Sequence, residues 1–111
     1  MNDNIIFSFT WDDAIKDGTF IRVDDKIRTE AGIKYPTAIT SNLYNTYIKS
    51  GDEQGRLWDL LWMFRFGKMD GNEVEFQVQF GKKVVRIIGV CEGRSPENPE
   101  PIITFMLPED R

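Results

Sequence analysis

Histidine is absent from the sequence, and cysteine occurs once, at Cys91. Without histidine there is no Ser-His or Cys-His nucleophile pair, no HExxH-type metal helix and no imidazole general base. A single cysteine forms no internal disulfide and no CxxC pair, which fits a reducing compartment. A GxxxxGK[ST] phosphate loop and a GxGxxG dinucleotide fingerprint are also missing. No apolar run approaches the roughly 18 residues of a membrane span. The start, Met1-Asn2-Asp3-Asn4, lacks the basic region of a secretory signal. These absences lead to the expectation of a cytoplasmic protein that uses no membrane, no metal and no cofactor.

What is present is globular in character. The 111 residues are 41% hydrophobic and 29% charged, which suits one folded domain spanning 1–111. Aromatic residues make up 13%, enough large rings for a short chain to build a core. The net charge of −4 and pI of about 4.8 argue against a plain nucleic-acid binder, whose affinity comes from neutralising phosphates. Excess carboxylate keeps a domain in solution, and it also suits a mimic of nucleic acid.

Along the chain, Ile5-Ile6-Phe7-Ser8-Phe9 reads as a short strand and Thr10 as the N-cap of a helix closed by Gly18. A strand at Phe20–Val23 and a brief helix capped by Asp24 or Asp25 follow, the helix stopping by Gly32. Thr40 or Ser41 caps a third helix through about Ile48. The principal helix is expected over residues 52–69. Leu57, Leu60, Leu61 and Phe64 form one stripe on it, and Trp58, Trp62 and Phe66 a second at four-residue steps. A helix so apolar must be covered on more than one side.

After a turn at Asp70-Gly71-Asn72, apolar Val74, Phe76, Val78 and Phe80 alternate with Glu73, Glu75, Gln77 and Gln79, the pattern of a half-buried antiparallel strand. Gly81-Lys82-Lys83 is a hairpin turn, residues 84–91 read as a central strand with a bulge at Gly89, and residues 102–107 as the last strand. The loop Gly93–Pro101 joins the last two. The fold class is therefore α+β: a three-stranded antiparallel meander in the C-terminal half, packed on one long apolar helix, with short helices and strands in the N-terminal half.

The remaining catalytic candidates are carboxylates, in the pairs Asp12-Asp13, Asp24-Asp25 and Asp52-Glu53. Each pair stands where a helix begins, where acids serve as caps and offset the helix dipole. Cys91 lies in a strongly apolar strand and reads as a core thiol. Trp58, Trp62 and Phe66 have two readings, core packing or an interface with Arg65 beside them, since Trp and Arg dominate binding hot spots. Lys82, Lys83 and Arg86 cluster at the hairpin, as a solvated turn or a weak phosphate patch.

Three segments together resemble a known family. They are Glu30-Ala31-Gly32-Ile33-Lys34-Tyr35-Pro36-Thr37-Ala38-Ile39-Thr40, Gly55-Arg56-Leu57-Trp58-Asp59-Leu60-Leu61-Trp62-Met63 and Glu100-Pro101-Ile102-Ile103-Thr104-Phe105-Met106-Leu107-Pro108-Glu109-Asp110. In this order they resemble a small bacterial family classed only as a domain of unknown function, found on chromosomes, plasmids and phages. The resemblance implies a compact prokaryotic protein and carries over no activity, ligand or catalytic residue. The functional expectation is a non-catalytic protein-interaction module whose partner is another protein or a second copy. The alternatives are a phage- or plasmid-borne inhibitor of a host defence protein, a carboxylate-dependent metal hydrolase, and a nucleic-acid adaptor using the hairpin cations.

Overall fold

The computed structural model describes residues 10–111, so the strand expected at Ile5–Phe9 lies outside the described residues. In chain order the elements are helix α1 (Trp11–Lys16), strand β1 (Phe20–Arg22), helix α2 (Asp25–Glu30), strand β2 (Thr37–Thr40) and helix α3 (Ser41–Leu43), which runs on as a wider π-turn over Tyr44–Ile48. Helix α4 (Glu53–Phe64), strands β3 (Lys68–Asp70), β4 (Glu73–Phe80), β5 (Lys83–Gly93) and β6 (Pro101–Met106), and a closing 3-10 turn (Pro108–Asp110) complete it.

The strands form one six-stranded mixed sheet in the order β1-β2-β6-β5-β4-β3. Its β6, β5, β4 and β3 neighbours pair antiparallel, whereas β2 pairs parallel with β6, Thr37 opposite Ile103. The sheet is thus wider than three strands. The N-terminal half joins it through β2, whose four residues are all buried. Pro36 holds the preceding residue extended, and Thr40 ends the strand by capping the next helix, its hydroxyl accepting from the Leu43 amide at 3.3 Å.

The main core lies between one sheet face and α3–α4, with Leu43, Ile48, Leu60, Leu61, Val78, Ile87 and Phe105 at 2% exposure or less. The rings of Phe64, Phe76 and Phe105 meet edge-on, with centroids 5.0–5.8 Å apart. Beneath them sits Gly89. The β4–β5 register runs unbroken past it, so the expected bulge is absent. The glycine instead makes room: a Cβ there would lie 3.0 Å from both Phe64 and Phe105. On the opposite face α1 covers the β2–β6 end, packing Trp11 on Ala38 and Ile102. The Trp11 indole N–H donates to the Thr104 hydroxyl at 3.0 Å in this second core.

Helix α4 is shorter than the sequence stripe suggests. Its last turn tightens through Phe66 N–H to Met63 C=O (3.0 Å) and Gly67 N–H to Phe64 C=O (3.1 Å). Gly67 then passes so close to Val74 that a Cβ would stand 2.3 Å from its Cγ1. Lys68–Asp70 turns back to pair with Glu73–Glu75. The Asp70-Gly71-Asn72 turn is therefore a hairpin, with Gly71 at φ +63°, as is the next one at Gly81, also φ +63°. Both place glycine first in a two-residue loop, where a positive φ matches strand twist.

Candidate interaction surface

Packing of α4 on the sheet leaves its second stripe outside the core. Leu60 and Leu61 face the core, while Trp58, Trp62 and Phe66 are 38%, 42% and 67% exposed. They form an outward ridge. Trp58 and Trp62 stack with ring centroids 6.3 Å apart and planes 17° from parallel, and Phe66 meets Trp62 edge-on at 6.4 Å. The Arg65 guanidinium lies 4.5 Å from the Trp62 ring centre, a cation–π contact that holds both side chains. Side chains so ordered lose little further freedom when a surface covers them.

Two concavities flank the ridge. At the α4 N-terminal end a groove of about 710 Å³ runs between α2 and α4, lined by Trp58 with Asp24, Glu30, Asp52 and Asp59 against one lysine, Lys26. On the other flank is an apolar cavity of about 400 Å³, walled by Ala31, Ile33, Leu61, Phe64, Cys91 and Ile103. Its rim is the α2–β2 loop, which is braced. Gly32 takes the left-handed conformation at φ +88°, and Arg28 donates to the Ile33 and Lys34 carbonyls at 3.0 and 2.9 Å. Burial pushes the Cys91 thiol above its ordinary pKa, the direction that disfavours the thiolate.

Arg86 pairs with Glu75 across β4–β5, while Lys82 in the turn and Lys83 at the start of β5 are exposed. The carboxylate pairs are occupied structurally. Asp13 and Thr10 form a reciprocal capping box, Asp24 and Asp52 cap α2 and α4, and Glu53 accepts the Tyr44 hydroxyl at 2.7 Å. Asp12 accepts two bonds from Arg94, at 2.7 and 3.0 Å, which hold its carboxyl below the ordinary value. Asp25 is lowered likewise by Arg28 and then Arg22. Among the described residues no three His, Cys, Asp or Glu side chains stand together as a metal-binding group. No helix among them is long and apolar enough to cross a membrane.

A family model for a family of unknown function, DUF6573, matches residues 1–111. The chain belongs to that family. No curated protein and no solved structure matches it. In this DUF6573 chain the segments 30–40, 55–63 and 100–110, far apart in sequence, converge: Ala31 to Tyr35, Leu61, and Pro101 to Ile103 all line the apolar cavity. The parallel pairing of β2 with β6 brings the first and third together, and α4 lays the second over them. Spacing marks Trp58, Trp62 and Phe66 as one stripe, in the core or at a surface, and gives no sign of either concavity. Each has one wall from α2 or the loop after it, whose place beside α4 no local pattern encodes.

Proposed function

We propose that this DUF6573 chain is a non-catalytic, intracellular protein-interaction module of bacterial or mobile-element origin that docks a partner protein on the outer ridge of α4. The observation that carries this reading is the row Trp58, Trp62 and Phe66, the two tryptophans stacked and Phe66 edge-on to Trp62 just past the helix end, open to solvent on the side of α4 away from buried Leu60 and Leu61. Clustered, pre-ordered Trp with an adjacent Arg is the composition of binding hot spots. The run β4–β5–β6 and α4 serve as the rigid platform. The acidic groove beside Trp58 suits a partner that brings basic residues next to an apolar anchor. Employment of the carboxylates as caps and ion-pair partners is consistent with a role without catalysis.

The test is affinity capture from a bacterial lysate with the wild type, Trp58→Ala/Trp62→Ala and Lys82→Ala/Lys83→Ala, each first shown to be folded. The captured protein is then purified and rebound. Expected is one protein that binds the wild type and the hairpin variant and is lost with the ridge variant. Binding that survives loss of both tryptophans refutes the ridge as the docking surface. Concentration-dependent dimerisation abolished by the ridge variant would replace the partner with a second copy.

A further inference from the structure

The apolar cavity beside the ridge has features that protein docking does not require. Its walls, Ala31, Ile33, Leu61, Phe64, Cys91 and Ile103, come from four separate parts of the fold, the α2–β2 loop, α4, β5 and β6, and its volume of about 400 Å³ lies within the range of small-molecule sites. The surrounding loop is fixed by the Gly32 turn and the Arg28 hydrogen bonds, so the site exists before any ligand arrives. Two cations, Lys34 and Arg65, stand at its lining. Among the described residues neither has a carboxylate partner. Glu100, which shares the neighbouring groove with Lys34, is already held by Arg94 at 2.9 Å. Arg65 is poised over the opening, since a Cβ on Gly32 would lie 3.7 Å from its Nη2. An apolar chamber with two cations at its mouth complements one chemical class.

We infer that this cavity binds a small organic carboxylate with an apolar alkyl or aryl body, the body lying against Leu61, Phe64 and Ile103 and the carboxylate facing Arg65 and Lys34. Arg65 offers a planar fork suited to a carboxylate, and Lys34 adds a point charge. The inference stands on the cavity and does not depend on the docking role of the ridge.

The experiment uses Cys91, the one thiol of the chain, as a reporter inside the site. The rate of its modification by a thiol reagent is measured with octanoate, 3-phenylpropanoate, octanol or octylamine, alongside thermal melting. Octanoate and 3-phenylpropanoate are expected to slow modification and raise the melting temperature, with octanol and octylamine weaker. In Lys34→Gln/Arg65→Gln the carboxylates should bind about fivefold more weakly, the upper end for solvent-exposed ion pairs. Absence of protection at millimolar carboxylate overturns the inference. So does equal protection by octylamine, or carboxylate binding unchanged in the double variant. Because melting is read in parallel, a reagent effect confined to the thiol is told apart from binding.

Discussion

Adjacent residues on α4 should respond very unequally to truncation. Leu61 is 1% exposed in the core, and Trp62 next to it is 42% exposed on the ridge. Leu61→Ala removes buried methyl groups and leaves a hole that the surrounding rings fill only in part. The cost is about 3–4 kcal/mol, within the span for buried leucine. Trp62→Ala removes a much larger side chain, but one already half in water. It loses stacking on Trp58, about 0.5–1.5 kcal/mol, and the exposed cation–π contact with Arg65, about 0.5–1 kcal/mol. Alanine returns up to about 0.7 kcal/mol through its better helix propensity. These contributions net to about 0.3–2.5 kcal/mol, below the Leu61→Ala cost. Urea unfolding followed by far-UV circular dichroism measures both. A Trp62→Ala loss equal to or larger than that of Leu61→Ala would show that the ridge is core, and the docking argument would fall with it.

Other consequences can be checked on the same instrument. Thr104→Val keeps the shape of a side chain 1% exposed but strands the Trp11 N–H without its acceptor, costing about 1–3 kcal/mol. Gly89→Ala forces a methyl to within 3.0 Å of two rings and should cost about 1–3 kcal/mol by overpacking, with near-ultraviolet aromatic signals perturbed. Asp12 titrates below its ordinary 3.8 in the folded chain because of Arg94, so its contribution is complete above that value and lost as pH falls through the lower folded value. Asp12→Asn should therefore narrow the difference in urea midpoint between pH 7 and pH 2.5. An unchanged difference would remove the Asp12–Arg94 pair from the acid response.

Much of the C-terminal half was legible because its signals are local. Alternation in residues 73–80 sets one face of β4, and the turn residues Gly81 and Asp70 to Asn72 mark chain reversals. Helix caps are likewise local, since a side-chain oxygen next to helix amides acts within one turn: the sequence offers Thr10, Asp24 or Asp25, Thr40 or Ser41, and Asp52, and the structure selects Asp24 and Thr40 at the two open positions. What escaped depends on neighbours distant in sequence. Four-residue β2 has no periodicity of its own and is a strand only because β1 and β6 flank it. The 65–70 stretch continues the apolar stripe of α4, yet contact of Gly67 with Val74 and pairing with β4 take it out of the helix. A strand glycine signals either a bulge or a close approach, and at Gly89 only the Phe64 and Phe105 rings select the second. Four-residue spacing marks the aromatic stripe, but spacing cannot separate core from surface. The sheet separates them by taking the Leu60–Leu61 side.

The most direct test of the central claim is the solvent accessibility of Trp62 with and without a bound partner. In a Trp11→Phe/Trp58→Phe chain, Trp62 is the sole tryptophan emitter, and acrylamide quenching reports its exposure. Red-shifted, readily quenched emission from the isolated chain at all concentrations, becoming blue-shifted and protected when the captured protein is added, is the result predicted here. Emission that is blue and shielded in the isolated chain, or unchanged on saturation with the partner, would contradict it.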